Sequence, residues 1–273
     1  MQSEGILRLF ERLAIEAGQA ILAIREKGHD VERKGDDSPV TEADHAAEAI
    51  VLEGLQSEMP GVPVIAEEEM AAGRQPDISG GRFILVDPLD GTSEFIKGND
   101  DFTVNIALIE NGVPTIGVVL APARGLLWMG APEGAVLVTV DMESGVPQER
   151  RAITCQPPSK PLRVVASASH RTDETNRFIA RFPEAQTVSV GSSLKFCLLA
   201  EGEADLYPRF GRTMEWDTAA GDAVLRAAGG VIVTPDDKPF IYGKTDQTDD
   251  CDFANGWFVC ASTADLLKDL RRD

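Results

Sequence analysis

Ile6, Leu7, Leu9, Phe10, Leu13, Ala14, Ala17, Ile21 and Ile24 recur at intervals of mostly three and four residues, the period of a helix with one buried face. The spacing predicts a long opening helix ended by Gly28, since glycine readily takes the backbone conformation of a helix stop. After the polar loop Lys34-Gly35-Asp36-Asp37-Ser38-Pro39, a second helix is predicted over Thr41 to Leu55, with Thr41 as N-cap and Asp44 in capping-box position. Pro63 to Ala66 and Arg82 to Val86 read as short buried strands, and Phe102 to Ile109 with Val113 to Leu120 as a hairpin around Glu110-Asn111-Gly112. Further strands are predicted at Leu126 to Met129 and Ala135 to Val140.

The rhythm changes after Asp141 to Pro161, a Pro- and charge-rich stretch in which no element is read. Strands and helices then follow at Leu162 to Ser167, Glu174 to Phe182, Thr187 to Val190, Ser192 to Ala200 and Asp205 to Tyr207. They continue at Thr218 to Ala228, Val231 to Thr234, Gly256 to Ala261 and Ala264 to Arg271. The first half therefore reads as α+β and the second as α/β. Asp246 to Asp252, with its four aspartates, reads as a solvated loop.

With 43% hydrophobic residues over 273 positions, the chain can bury a sizeable core, which excludes disorder as its main state. Its formal charge of −19, from 26 basic and 45 acidic side chains, argues against a nucleic-acid polymer as partner, because phosphate backbones are held by a surplus of Lys and Arg. The longest nearly uncharged apolar stretch, Val113 to Ala123, contains Pro114 and Pro122 and is far shorter than the roughly 18 to 20 residues of a membrane helix. Glu4, Arg8, Glu11 and Arg12 interrupt the N-terminus, so no secretory signal is read and a cytoplasmic location is expected. Cys155, Cys197, Cys251 and Cys260 are too scattered for a disulfide scaffold and read as reduced thiols. Monomer and homodimer both stay open, as does peripheral contact with the inner face of the cell membrane.

The most informative segment is Asp87-Pro88-Leu89-Asp90-Gly91-Thr92, directly after the strand ending at Val86. Two carboxylates three residues apart, with Pro88 and Gly91 forcing a turn, can aim both side chains and the Leu89 carbonyl at one point. Such an all-oxygen set suits a hard cation such as Mg²⁺, whereas zinc would favour His or Cys. An Asp-rich turn whose carboxylates cap local amides would show the same residues. Glu67-Glu68-Glu69 again puts acid at the end of a buried strand, with Glu69 expected to be solvated. Asp217 heads the helix from Thr218, where an N-cap role explains it equally well. Four carboxylates around two cations about 4 Å apart would hold a phosphate and ionise a water. Amides at Gly91 and Thr92 suit an anion, Thr92 could hold an attacking water, and Asp44 could accept its proton through that hydroxyl, although the capping box alone accounts for Asp44. The D-x-x-D spacing disfavours an aspartyl nucleophile of D-x-D type, and neither a P-loop, a dinucleotide fingerprint nor a G-x-S-x-G elbow occurs.

Together, D-P-L-D-G-T at 87 to 92, Glu67-Glu68, T-E-A-D at 41 to 44 and W-D-T-A-A-G at 216 to 221 resemble the inositol monophosphatase superfamily of magnesium-dependent, lithium-sensitive phosphatases. S-P-V-T-E-A-D, D-P-L-D-G-T-S-E-F-I, F-T-V-N-I-A-L-I, G-S-S-L-K-F-C and Y-P-R-F-G look like its bacterial CysQ branch, the 3'(2'),5'-bisphosphate nucleotidases. The resemblance implies a layered αβαβα sandwich, an α+β fold of the sugar-phosphatase type, in one domain over 1–273, with 1–150 a metal-binding half and 151–273 an α/β half that selects substrate. It also implies hydrolysis of 3'-phosphoadenosine 5'-phosphate to AMP and phosphate, in the service of sulfate assimilation.

By resemblance, Glu67, Asp87, the Leu89 carbonyl, Asp90 and Asp217 would hold magnesium, about two or three ions per site. Thr92 with Asp44 would activate the water, and Glu68 would act on an outer water. Gly91, Thr92, His170, Ser192, Lys195, Arg209 and Asp217 would contact the nucleotide, with Gly191-Ser192-Ser193 as an anion nest. A helix cap for His170 and a surface position for Lys195 are the alternative readings, and Tyr207 is expected to be packing. Ala66 stands where the family often has Ser or Gly, which removes no ligand. The rival activities are an inositol monophosphatase, a fructose-1,6-bisphosphatase and a non-catalytic nucleotide-binding protein.

Overall fold

A computed structural model describes residues 2–28, 31–33, 39–167 and 171–270. In chain order it begins with α1 (Ser3–Lys27), β1 (Val31–Arg33), β2 (Pro39–Thr41), α2 (Glu42–Glu58), β3 (Val64–Ala66), α3 (Glu67–Ala71), β4 (Arg82–Asp90) and α4 (Thr92–Ile96). There follow β5 (Thr103–Glu110), β6 (Val113–Ala121), β7 (Leu126–Ala131), β8 (Gly134–Asp141) and β9 (Val146–Ile153), a 3-10 turn at Pro122–Arg124 lying between β6 and β7. The second half comprises β10 (Arg163–Ser167), α5 (Asp173–Ile179), β11 (Gln186–Val190), α6 (Leu194–Ala200), β12 (Leu206–Arg209), β13 (Thr213–Met214) and α7 (Glu215–Ala227). It closes with β14 (Val231–Val233), β15 (Ala254–Asn255), β16 (Phe258–Ala261) and α8 (Ala264–Leu270).

The strands gather into two main sheets. Seven strands run in spatial order β3-β4-β5-β6-β7-β8-β9, with β3 parallel to β4 and the rest antiparallel. Five run in the order β11-β10-β12-β16-β14, parallel around β10 and antiparallel around β16. The opening helices α1 and α2 cover one face of the larger sheet, burying Phe10, Leu13, Ile21, Val51 and Leu55 against Val86, Ile106 and Leu120. The helices α6 and α7 lie between the two sheets around Phe196, Tyr207 and Phe258, and α5 and α8 close the far side of the smaller one. The layers are thus α, β, α, β, α, as the sequence resemblance implied.

Apolar burial on both faces of the larger sheet explains why β4 and β5 carry nearly continuous hydrophobic runs. The approach of α7 to that sheet depends on two glycines. A Cβ at Gly117 would stand 2.7 Å from Ala223 Cβ, and one at Gly130 would stand 2.6 Å from Val224 Cα. Glycine at both positions lets the helix backbone rest on β6 and β7 and so fixes the height of Asp217 over the sheet.

Several elements differ from the sequence reading. The Pro- and charge-rich stretch after Asp141 contains β9, an edge strand on which Ile153 alone is fully buried, so it offers no alternation to read. The ladder of β4 does not stop at Val86 but runs on to Asp90. Asp217 is not the N-cap of a helix from Thr218. The helix α7 starts at Glu215, and Asp217 reaches back from inside its first turn to accept the Met214 N–H at 2.8 Å. The helix predicted from Ser192 starts at Leu194 and that predicted from Glu174 at Asp173, with Thr172 as its N-cap.

Candidate active site

The site begins with an irregularity in β4. Asp87 pairs with Asn105 and Asp90 with Thr103, so two residues on one strand, Pro88 and Leu89, lie opposite the single Val104 on its neighbour, which makes a bulge. In an unbroken strand, residues three apart point to opposite faces; the bulge removes that alternation and lets Asp87 and Asp90 line one cleft. Asp87 is almost wholly buried, and its Oδ1 accepts the Leu89 N–H at 3.0 Å, which sets the turn. Gly91 follows at φ +95°, the left-handed conformation that starts α4 and puts Thr92 at its first turn.

Asp44 enters from α2. Its Oδ2 accepts the Thr41 N–H and the Thr41 hydroxyl, each at 2.7 Å, and its Oδ1 stands 2.9 Å from Thr92 Oγ1. Capping and a second contact therefore coexist, one on each oxygen. Thr92 Oγ1 is also 3.1 Å from the Leu89 carbonyl oxygen, so one hydroxyl touches the bulge and the helix cap together.

A cleft of about 800 Å³ brings Glu67, Asp87, Leu89, Asp90, Gly91 and Thr92 of the first half opposite Ser192, Lys195, Tyr207, Arg209 and Asp217 of the second. Burial pushes Asp217 well above the usual carboxylate range, and the nearby charges of Asp90 and Glu67 push it the same way. Burial raises Asp90 too, against the pull of the Lys195 ammonium. Lys195 is itself drawn down to about 8 by burial, with Asp90 opposing. A half-buried set of like charges is stable only with protons or cations among them. The donors on this wall are oxygens, which suits a hard cation and not zinc. Among the described residues no trio of His, Cys, Asp or Glu side chains already converges on one metal-sized point, so these carboxylates line a shared cleft rather than a closed shell.

The second half differs in detail from the sequence reading. Lys195 is not on the surface: it is 5% exposed, and its Nζ donates to the Ser192 carbonyl at 2.5 Å. In the Gly191-Ser192-Ser193 loop the first amide is already engaged. The Gly191 N–H donates to Asp101, and the Ser192 and Ser193 hydroxyls donate to the Asp101 and Asp217 carbonyls. Arg209 lines the cleft and donates to the Arg212 carbonyl at 3.2 Å, while Tyr207 packs edge-on against Phe196. Glu68 is buried beside the cleft rather than on its wall, its N–H donating to Glu48 at 2.9 Å. His170 lies outside the described residues.

Other contributors were not read from the sequence. Asn105 Nδ2 lies 3.1 Å from Ser193 Oγ and 3.5 Å from Asp90 Oδ2, bridging the two halves. Arg212 lines the cleft and is held by the Asp250 carboxylate at 3.0 Å. Cys251 and Asp252 also line it, so the acidic Asp246 to Asp252 loop forms part of the rim and is not simply solvated. Each acts through a partner distant in sequence, and no local motif marks it.

The chain belongs to the inositol monophosphatase family, whose sequence model matches residues 3–259. Among its relatives, the 3'(2'),5'-bisphosphate nucleotidase CysQ of Salmonella typhimurium is 49% identical over 223 residues, 81% of this chain and 87% of that protein. The protein of the same name from Escherichia coli K12 is 46% identical over 233 residues, 85% of this chain and 91% of that one. A solved structure of CysQ from Bacteroides thetaiotaomicron, described as a bacterial member of the family, has a TM-score of 0.77 at 35% identity and covers 94% of this chain and 97% of that one.

Proposed function

We propose that this protein is a Mg²⁺-dependent 3'(2'),5'-bisphosphate nucleotidase that hydrolyses the 3'-phosphate of adenosine 3',5'-bisphosphate to AMP and inorganic phosphate, clearing a by-product of sulfate assimilation in the cytoplasm. The observation that carries this reading is the two-sided cleft, acidic where β4 bulges and basic at Lys195 and Arg209, which suits a substrate with two separate phosphates. The names of the relatives at 46% and 49% identity point the same way.

Glu67, Asp87, the Leu89 carbonyl, Asp90 and Asp217 would hold the metal, which supplies Lewis-acid polarisation of the phosphoryl group and acidifies a bound water. Thr92 Oγ1 orients the attacking water, and the proton passes through that hydroxyl to Asp44 Oδ1, which is already within hydrogen-bond reach. Asp44 keeps its orientation through the change because its other oxygen stays bound to Thr41. Lys195 and Arg209 bind the phosphate that is not cleaved, which makes the second half, from residue 151 on, the substrate-selecting part. Their local positive charge offsets the repulsion of an anion by a chain of net charge −19.

The test is phosphate release from 3'-phosphoadenosine 5'-phosphate, inositol 1-phosphate and fructose 1,6-bisphosphate, each with Mg²⁺ and again with added Li⁺. A lithium-sensitive preference for the nucleotide supports the assignment. Preference for the inositol or fructose ester discards the substrate and keeps the chemistry. Tight nucleotide binding without phosphate release would make the protein a binding module.

A further inference from the structure

The cleft is built from two segments far apart in the chain, the Asp90-Gly91-Thr92 turn and the Gly191-Ser192-Ser193 loop, and both rest on one residue between them. Asp101 lies in the short lead into β5. Its Oδ2 accepts the Gly191 N–H at 3.0 Å, and its carbonyl oxygen accepts the Ser192 hydroxyl at 3.1 Å. On the other side, Gly91 packs so closely that a Cβ there would stand 2.9 Å from the same carbonyl oxygen; a Cβ on Gly191 would meet it at 2.8 Å. Ser192, at φ +41°, holds a left-handed conformation that a serine adopts only when its surroundings impose it. Lys195 closes the loop from beneath through its bond to the Ser192 carbonyl.

An acidic side chain beside a phosphate site would ordinarily repel the substrate. Here the Asp101 carboxylate is engaged on both oxygens, by the Gly191 amide and by the Arg124 guanidinium. Its charge is thus neutralised where it stands, and what remains is its grip on the loop.

We infer that Asp101, clamped by Arg124, is a positioning residue that sets the distance between the two phosphate subsites, holding the loop of the uncleaved phosphate against the turn where cleavage takes place. This rests on the bisphosphate-nucleotidase reading above. Asp101 touches neither phosphate; it acts through the Gly191 amide and the Ser192 backbone.

The consequence is a split between substrates that share the scissile 3'-phosphate ester and differ by the 5'-phosphate. Asp101→Ala removes the carboxylate and keeps the backbone carbonyl. For 3'-phosphoadenosine 5'-phosphate the KM should rise about tenfold, the effect of losing one charge-assisted hydrogen bond, with kcat within about twofold. For adenosine 3'-monophosphate both constants should stay within about twofold of the parent. Arg124→Ala, which leaves Asp101 in place, should move the bisphosphate KM in the same direction by a smaller factor.

Amide hydrogen exchange over residues 191–195 gives a readout independent of turnover. It should speed up in Asp101→Ala while exchange in α2 and β6 stays as in the parent. Unchanged exchange over 191–195, or equal losses on both nucleotides, overturns the positioning role. A parent enzyme that does not distinguish the two nucleotides overturns the bisphosphate reading and the subsite spacing with it, and the exchange data then decide alone whether Asp101 holds the loop.

Discussion

Thr92 Oγ1 stands 2.9 Å from Asp44 Oδ1 although 48 positions separate them in sequence. The contact joins the first turn of α4 to the first turn of α2, and it exists because Asp44 caps its own helix with only one oxygen. If the pair handles a proton as a unit, Thr92→Ala and Asp44→Asn should each lower kcat, by about 10² to 10⁴-fold. The double variant should be hardly worse than the poorer single one, because a broken relay cannot be broken twice. Multiplicative losses in single-turnover phosphate release would show two independent roles.

The acidic wall makes a prediction about stability that runs against the usual cost of a buried substitution. Asp90 and Asp217 are each driven upward by burial, and Asp217 also by its acidic neighbours. Asp217→Asn keeps an oxygen for the Met214 N–H and removes the cost of either protonating that carboxyl or holding it charged beside Asp90 and Glu67. Metal-free protein should therefore melt higher than the parent, by about 2–4 °C for each kcal/mol of repulsion removed. The rise in melting temperature on adding Mg²⁺ should disappear, since an ion that binds only the folded state stabilises it by mass action. Asp90→Asn should abolish turnover with the fold intact. A variant that keeps the full Mg²⁺-induced shift would remove Asp217 from the ligand set.

Lys195 is the buried cation among the described residues of the second half. Lys195→Ala should weaken 3'-phosphoadenosine 5'-phosphate more than inositol 1-phosphate, by about tenfold to a hundredfold in kcat/KM. Steady-state kinetics on both substrates decide it: equal losses would mean that the lysine serves the loop fold and not the second phosphate.

Stability should also depend on pH through a residue away from the cleft. Asp222 in α7 is fully buried, 2.7 Å from Arg226 and 3.1 Å from the Tyr242 hydroxyl. Burial outweighs the Arg226 charge and raises it from 3.8 to about 6. A carboxyl with a raised folded-state pKa contributes stability that is fully present below the unfolded pKa and is lost as pH rises through the folded one. Urea unfolding of the parent should thus show a loss between about pH 4 and pH 6, on the order of 3 kcal/mol at most. Asp222→Asn cannot titrate and should flatten that interval; parallel slopes in the two proteins would place the titration elsewhere.

Much of this molecule is local. The period of Phe10, Leu13, Ala17 and Ile21 is a property of α1 alone, and the Thr41–Asp44 cap needs only the first turn of α2. The hairpin of β5 and β6 follows from two apolar runs around Asn111-Gly112, at which both residues have positive φ. The D-P-L-D-G-T segment likewise marks part of an oxygen-rich wall, because Asp87, the Leu89 carbonyl and Asp90 lie within four residues of chain, whereas Glu67 and Asp217 come to it from elsewhere.

Tertiary structure decided what depends on partners distant in sequence. The bulge that turns Asp87 and Asp90 into one cleft is defined by β5, and β4 continues past Val86 because Asn105 and Thr103 are there to pair with it. Asp217 meets Asp90 and Glu67 only because α7 settles on Gly117 and Gly130. The burial of Lys195 and the grip of Asp101 on Gly191 come from layers that meet when the sheets stack. An edge strand such as β9 has almost no buried side, so it leaves no pattern to find. Sequence by itself thus determined elements whose apolar face or cap lies within a few turns of chain, together with the donors of the acidic wall. The spacing of that wall, and the loop that faces it, were decided by contacts that form only when the layers pack.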